Sequence, residues 1–199
     1  MMKGRPREFD TEQALDRAME LFWSNGYEGT SLSDLTHALG VTRPSLYAAF
    51  GNKEALFRTV LKCYEAELVT YRPLALSAPT AREVARTLLE GAANFFGDKS
   101  HPRGCLGIQG ALACGPQAEP IQRGLTANRE AGERAIRQRL RRAKNEGDLP
   151  ADSDPASLAR YLSIVVYGMA VQAAAGSSRK DLLQVAALAL QSWPKGRYS

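Results

Sequence analysis

Residues 39–57 read LGVTRPSLYAAFGNKEALF, and the short segment that begins at Thr42 decides the fold. Thr42 is a good helix N-cap. Pro44 then falls at the second helical position, where a missing N–H removes no intrahelical bond. A helix of about two turns is not stable alone in water, so this one needs support from its neighbours. Leu46 and Phe50, four residues apart, provide one apolar face for that support.

A second capped helix is predicted immediately before this one. Residues 31–38 place Leu32 and Leu35 on an inward face, and Leu39-Gly40-Val41 follows as a tight turn in which glycine allows a positive φ. A helix, a glycine turn and a short second helix are typical of a helix-turn-helix unit. The alternative is an αα-corner in a helical bundle that binds no nucleic acid.

Helical periodicity continues through most of the chain. The predicted helices cover residues 11–24, 31–38, 42–49, 53 to about 71, and then about 80–97, 103–115, 117–146, 154–175 and 179–193. We expect Pro73 and Pro79 to break the chain between helices. There is no series of strand patterns and no internal repeat, so we predict an all-α fold.

Composition indicates an ordinary globular protein. Hydrophobic residues make up 44% of the 199 positions and charged residues 24%. The longest apolar segment, residues 161–175, is short for a membrane span and contains Gln172, which favours a buried helix. The N-terminus lacks the apolar core of a secretory signal, and three cysteines suggest no disulfide framework. We therefore expect a cytoplasmic protein with no membrane contact.

The net charge of +5 is concentrated in one segment. Residues 123–144 contain eight Lys/Arg and two Glu, so the rest of the chain carries a net charge of −1. This basic run is expected to form a solvated helix face, and an anionic ligand or a second nucleic-acid surface is the alternative. Because residues 1–57 carry six basic and eight acidic side chains, DNA binding there would depend on a few well-placed cations.

The stretch TSLSDLTHALGVTRPSLYAAFGNKEALF closely resembles the N-terminal domain of TetR-family transcriptional regulators. The matching features are a preceding FWSNGYEGTS, the LGV turn, a capped helix ending in LY, and an F-x-x-K-E-x-L-F segment. The GCL triplet at residues 104–106 is similar to a signature of one subgroup of that family. The resemblance implies a helix-turn-helix DNA-binding domain over residues 1–52, joined through a shared fourth helix to a ligand-binding and dimerisation domain over residues 53–199.

The resemblance also implies a function and a set of partners. We expect a homodimeric repressor that places its third helix in successive major grooves of a palindromic double-stranded operator, until a small-molecule inducer of unknown identity changes the spacing of the two subunits. The DNA-binding residues it implies are Thr30, Ser31, Thr42, Arg43, Pro44, Ser45, Tyr47 and Lys53. Among them, Thr30, Ser31 and Tyr47 would bind phosphates, and Arg43 is the best candidate to read guanine. Lys53 would add charge beside helix N–H groups.

The C-terminal half is expected to hold the inducer and the dimer interface. The last two predicted helices are apolar on more than one face, and the surplus is what a four-helix dimer interface needs. A mainly apolar ligand pocket is expected between the fourth and eighth helices. Its candidate lining residues are Tyr64, Leu68, Phe95, Phe96, Cys105, Leu112, Tyr161 and Tyr167.

Cys105 gives rise to two alternative functions. Arg103 and a predicted helix N-terminus lie close to it in sequence and would favour a thiolate, so Cys105 is either a thiol sensor or a small buried hydrophobic residue. A cysteine-dependent enzyme is the rival class, but the sequence has only His37 and His101 and offers no third orienting group. His101 and Cys105 alone are weak as metal ligands, so we expect no metal and no cofactor.

A third alternative for the function of the whole protein is an unregulated architectural DNA binder. Lys3, Arg5 and Arg7 are candidates for an arm in a minor groove or for a solvated tail.

Overall fold

A computed structural model describes residues 10–110 and 114–194, and all regular elements in those ranges are helical. The helices are α1 (Thr11–Gly29), α2 (Leu32–Leu39), α3 (Arg43–Phe50), α4 (Lys53–Cys63), α5 (Tyr71–Ser77), α6 (Ala81–Phe96), α7 (Leu106–Gln109), α8 (Glu119–Asn145), α9 (Pro155–Ala174) and α10 (Arg179–Gln191). A π-helical turn, Tyr64–Leu68, continues α4, and a 3₁₀ turn, Pro116–Ala118, precedes α8. The all-α prediction is confirmed. Leu112 and the basic residues at positions 3, 5 and 7 lie outside the described ranges.

Helices α1 to α4 form the N-terminal head. Asp10 caps α1 by accepting from the Gln13 N–H at 3.1 Å. The rings of Phe22 in α1 and Phe57 in α4 meet edge-to-face with centroids 5.0 Å apart. Both side chains are buried. The helical path of α1 is interrupted at Gly26, which has φ 74°, because only glycine adopts that conformation at no steric cost.

The fourth predicted helix differs from the structure at its C-terminal end. We expected it to run to about Tyr71, but α4 ends at Cys63 and passes through the π-helical turn into a separate short helix, α5. Pro73 was expected to break the chain and instead lies at the third position of α5. The N–H groups of the first helical turn have no intrahelical acceptor, so a proline there costs no hydrogen bond.

The helix predicted over residues 103–115 is largely absent from the described residues. Only α7, four residues long, is helical there. Gly104 has φ 83°, and the carbonyl of Gly110 accepts a hydrogen bond from the Tyr27 N–H of the head at 3.0 Å. Closely spaced glycines weaken a helix, and here the backbone bonds to α1 instead.

In the C-terminal part, α6 is the central element and packs against α5, α9 and α10. A capping box between Thr80 and Glu83 begins α6, and eight of its sixteen residues are buried. At Gly91, a Cβ atom would lie 2.5 Å from the Cβ of Tyr71, so the close approach of α5 to α6 requires glycine. No helix among the described residues is long and apolar enough to cross a membrane.

The basic run of α8 is only partly a solvated face. Arg134 is half-exposed and lies 3.6 Å from Glu130. In contrast, Arg139 is buried and donates to the carbonyl oxygens of Ala78 and Pro79 at 2.6 and 2.8 Å. That arginine therefore satisfies backbone acceptors after the end of α5, a structural role that its position in a charge run did not reveal.

Candidate nucleic-acid interface and ligand cavity

Helices α2 and α3 are joined by a turn with the predicted geometry. Gly40 ends α2 in the left-handed region with φ 68°, and its N–H donates to the carbonyls of Thr36 and His37. The Val41 N–H also donates to the Thr36 carbonyl, at 3.1 Å. The Thr42 hydroxyl then caps α3 by accepting from the Ser45 N–H at 3.4 Å, with Pro44 in the first turn.

One side of α3 is fixed to the protein and the other faces solvent. Leu46 has no exposed surface, and Phe50 packs against the same core. The predicted base-facing and phosphate-facing positions Thr42, Arg43, Pro44, Ser45 and Tyr47 are all exposed, as are Ala48 and Ala49. Tyr47 is 42% exposed. The N-terminal end of α3 is therefore free to enter a DNA groove.

Arg43 is held loosely in this surface. Its only hydrogen bond to the described residues is a long one, 3.5 Å from a guanidinium nitrogen to the Ser33 hydroxyl in α2. Ser33 is exposed and was not identified from the sequence. Its place in the first turn of α2, beside the cap, is the signal that would have found it. The two side chains bring the N-terminal ends of α2 and α3 into one polar surface.

Ser31 and Thr30 occupy different environments. Ser31 is exposed and forms a reciprocal capping box with Asp34, in which each side chain accepts from the other residue's backbone N–H at 2.8 and 3.1 Å. Thr30 has no exposed surface, and its hydroxyl bonds the Gly26 carbonyl at 2.8 Å. The predicted phosphate contact of the Thr30 side chain is therefore wrong. Its hydroxyl instead satisfies an acceptor at the interruption of α1.

Lys53 lies at the first position of α4, close to this surface. Its ammonium group is 4.4 Å from the centroid of the Tyr27 ring. Partial burial lowers the pKa of Lys53, and the nearby carboxylates of Glu28 and Asp34 oppose that shift. The position combines a cation with the free N–H groups of a helix N-terminus, where anions bind.

Among the described residues, the predicted pocket residues lie in different surroundings. Tyr64, Phe96 and Cys105 are buried in the core. Leu68 and Phe95 border an open cleft near the start of α10, whereas Tyr167 lines a separate small cavity between α5, α6, α8 and α9.

Tyr161 is 37% exposed on α9. It lines neither the cleft nor the small cavity, so its place in a ligand pocket stays a prediction. Periodicity shows which residues share a helix face, but not which neighbouring helix covers that face.

The small cavity contains an arginine that sequence reasoning missed. Arg72 lines it together with mainly apolar side chains. All four of its i±3 and i±4 neighbours in sequence, Leu68, Val69, Ala75 and Leu76, are apolar. An arginine with no acidic partner at helical spacing is the signal that would have identified it.

An aromatic cluster connects the head to the C-terminal part. Trp23 of α1 is buried, and its ring centroid lies 4.8 Å from that of Tyr64 and 4.6 Å from that of His101. Phe95 of α6 stacks on the same indole at 5.8 Å. The backbone bond from Tyr27 to Gly110 lies in the same contact region, so α1 is packed into both halves of the molecule.

Cys105 lies beside this cluster with its thiol buried. The Tyr64 hydroxyl donates to its sulfur at 3.2 Å. Burial raises the pKa of the Tyr64 phenol well above its ordinary value, and the neighbouring Cys105 adds to that shift. Arg103, which was expected to favour a Cys105 thiolate, donates to the Gly176 carbonyl instead. In the described ranges, no group of three His, Cys, Asp or Glu side chains is placed to hold a metal ion.

A short capped helix, fixed on one side and exposed on the other, after a glycine turn and a second helix defines a helix-turn-helix DNA-binding protein. The comparison with known families makes this more specific. The model of bacterial regulatory proteins of the tetR family matches residues 14–60, and the tetracyclin repressor-like C-terminal domain matches residues 83–188. The chain belongs to the TetR family. It is a DNA-binding transcriptional regulator and not an enzyme.

Individual relatives agree with this assignment over nearly the whole chain. The HTH-type transcriptional repressor ComR of Escherichia coli is 36% identical over 97% of this chain and 93% of its own length. The repressor BdcR of the same organism is 33% identical over 94% and 90%. The solved structure of the TetR-family regulator CifR, a cysteine mutant complexed with 26-bp operator DNA, is 44% identical, with a TM-score of 0.90 over 96% of this chain and 100% of that one.

Proposed function

We propose that this protein is a homodimeric repressor that binds a palindromic operator and leaves it when a small molecule occupies the C-terminal domain. The observation that carries the proposal is the exposed N-terminal edge of α3, which Leu46 fixes to the core from the other side. The similarity to ComR and BdcR, both named repressors, supports it. We assign the chain to the subgroup with the GCL triplet and place it in the cytoplasm, where its DNA would be.

Six side chains are proposed to contact DNA directly. Arg43 reads a guanine through its guanidinium, since it is exposed and makes one long hydrogen bond within the described part of the chain. Thr42 and Ser45 face bases beside it, although their hydroxyls lie 2.9 Å apart and bond each other in the absence of DNA. Ser31 and Tyr47 bind phosphates from either end of the unit. Lys53, with the N-terminus of α4, adds a further phosphate contact.

A dimer interface is proposed on α9 and α10. Ile164 and Leu188 are each 62% exposed, and Val171 and Val185 are each 44% exposed. These large apolar side chains belong to the two helices expected to form a four-helix interface. A second subunit would remove them from water, which supplies a hydrophobic driving force for association.

The DNA-binding part is tested by a gel shift with DNA from the upstream region of the protein's own gene. We expect a shifted band that competitor DNA of unrelated sequence does not remove. Binding of equal strength to unrelated DNA at physiological salt would contradict an operator-specific function.

The dimer is tested by light scattering at micromolar concentration with two matched variants. Leu188→Asp places a charge in the proposed interface and should give monomers that no longer bind the operator. Leu74→Asp changes a side chain of similar exposure, 61%, on α5 and should remain dimeric. A monomeric wild-type protein would contradict the proposal.

A second candidate function, thiol sensing through Cys105, is favoured by one contact, the 3.2 Å hydrogen bond from the Tyr64 hydroxyl. Oxidation would place a bulkier polar group in the aromatic cluster next to Trp23. To test this, hydrogen peroxide is added to the operator complexes of the wild type, of Cys105→Ser and of the control Cys63→Ser, and the release of DNA is measured. Release that depends on Cys105 supports sensing, and release unaffected by Cys105→Ser contradicts it.

A further inference from the structure

The small cavity in the C-terminal part has a mixed lining. It lies between α5, α6, α8 and α9 and has a volume of about 50 Å³, which corresponds to roughly three or four water molecules. Most of its wall is apolar, including Leu76, Leu88 and Ile136. Arg72, Ser163 and Tyr167 are the polar side chains in this wall. Apolar walls with a few convergent polar groups are typical of small-molecule sites.

Arg72 is a largely buried cation without a close counterion. In the described ranges no carboxylate lies within 4.0 Å of its guanidinium. The Glu65 carboxylate interacts electrostatically with Arg72, and it already accepts a hydrogen bond from the Asn128 amide at 3.1 Å. Burial raises the pKa of Glu65 although Arg72 acts in the opposite direction. A buried charge is costly unless it is paired, so the site favours an additional anion.

Tyr71 provides a second, independent indication. Its side chain is 7% exposed, and its hydroxyl is buried without a hydrogen-bond partner of normal geometry. That hydroxyl lies next to the Arg72 guanidinium. A guanidinium can only donate to a phenol oxygen, so the O–H proton of Tyr71 has no acceptor among the described residues and is available to a further group. An anion against Arg72 would accept from both groups.

We propose that the effector is a short-chain aliphatic carboxylate whose charged end pairs with Arg72 and Tyr71 and whose apolar tail fills the cavity. This inference rests on the proposed function only in placing the effector in the C-terminal domain. Arg72 supplies a planar donor set that fits a carboxylate. The apolar walls favour a hydrocarbon tail over an inorganic anion, and the small volume favours about three to six non-hydrogen atoms.

The proposal is tested on the full-length protein without DNA, so that a failure of operator binding cannot be confused with a failure of ligand binding. Isothermal titration uses propionate and butyrate, with propionamide as a neutral analogue and inorganic phosphate as an anion without a tail. We expect binding of the two carboxylates only. If propionamide or phosphate binds as tightly, or if neither carboxylate binds at 10 mM (roughly the weak end for so small a ligand), the proposal is overturned.

Three variants locate the site. Arg72→Met keeps the packing stem but removes the charge, and should weaken carboxylate binding by about 10- to 100-fold. Arg86→Met, on the exposed side of α6, is the matched control and should bind as the wild type does. Gly132 lines the cavity, and a Cβ there would meet no atom within 4 Å, so Gly132→Ala should fold normally and reduce affinity by occupying space.

Thermal unfolding distinguishes a ligand site from a structural arginine. If the role of Arg72 is to bind an anionic ligand, Arg72→Met without ligand should be as stable as the wild type or more stable, because an unpaired buried charge is removed. Propionate should then raise the Tm of the wild type and of Arg86→Met, but not that of Arg72→Met. A large loss of stability in Arg72→Met together with unchanged carboxylate binding would show that Arg72 is structural and overturn the proposal.

Discussion

The exposed edge of α3 and the cavity beside α5 use arginine in opposite ways. Arg43 is exposed on a helix that is fixed from behind by Leu46, whereas Arg72 is largely buried among apolar side chains. Water solvates the exposed guanidinium of Arg43, so this group costs the free protein little free energy. It contributes favourable binding free energy only when DNA is bound. Inside the protein, the same group is costly until an anion pairs with it. The comparison teaches that both sites are incomplete without a partner, but only the buried one affects the stability of the free protein.

Leu46→Ala is expected to have the largest effect on the exposed side of this comparison. The substitution removes the fully buried side chain that holds a two-turn helix, so we expect a loss of about 2–5 kcal/mol and no detectable operator binding. Thermal unfolding and a gel shift measure the two effects. Ala49→Ser, at an exposed position of the same helix, is the stability control. A loss below about 1 kcal/mol would show that α3 is held by other contacts.

Arg43→Ala should leave stability unchanged, since the side chain is exposed and weakly bonded. It should reduce operator affinity by about 1–3 kcal/mol, or roughly 5- to 150-fold, through the loss of a bidentate base contact. Fluorescence anisotropy with operator and unrelated DNA checks this. Equal losses on both DNAs would make Arg43 a phosphate contact, and operator affinity equal to that of the wild type would remove the proposed readout.

Gly91→Ala tests the packing of Tyr71, whose hydroxyl lies next to Arg72, against α6. Overpacking costs about 1–3 kcal/mol, and the better helix propensity of alanine returns up to about 1 kcal/mol, so we expect a net loss of about 1–2 kcal/mol. Gly132→Ala makes the same change in open space within α8 and should be neutral or stabilising. Chemical denaturation of the two variants side by side provides the measurement. If both behave alike, α5 can move away from α6 without cost.

The buried phenols are expected to have the smallest effect on stability at neutral pH and to act only at alkaline pH. Burial raises the pKa of Tyr64 and of Tyr71 above the ordinary value of 10.0. Above about pH 10 the unfolded chain releases these protons while the folded chain retains them. The free energy of unfolding should therefore be flat below that pH and fall above it, by up to about 1.4 kcal/mol per pH unit for each tyrosine.

Denaturation between pH 7 and 11 of the wild type, Tyr64→Phe and the exposed control Tyr161→Phe checks this dependence. Tyr64→Phe should reduce the alkaline loss of stability. A wild-type curve that stays flat to pH 11 would contradict the burial of the phenols.

Helices α2 and α3 were predicted well from sequence because their signals are local. Four signals each determine the backbone within a few residues: the caps Ser31 and Thr42, the glycine at position 40 and the proline in the first turn of α3. The structure places α2 and α3 within one residue of the predicted bounds. Thr30 was misassigned because its burial depends on the interruption at Gly26, which gives its hydroxyl a carbonyl to bind.

The C-terminal part was predicted only in outline because its features depend on distant contacts. The segment that contains α7 is determined by bonds to α1, and no pattern within residues 103–115 reveals them. Arg72 belongs to a cavity formed by four helices, so its environment depends on the tertiary packing. The predicted pocket residues Tyr64 and Phe96 are core residues, and apolar character alone does not separate a pocket wall from a core.

The position of Trp23 has a practical consequence for anyone who wishes to divide this chain. The predicted boundary after Asn52 separates Trp23 from the rings of Tyr64, Phe95 and His101 that enclose it. Cleavage there would expose the indole of Trp23 on the N-terminal fragment and leave the three rings that pack against it uncovered on the C-terminal fragment. Transplanting this head onto another regulator should therefore fail unless those three rings, or substitutes of matching shape, are carried with it.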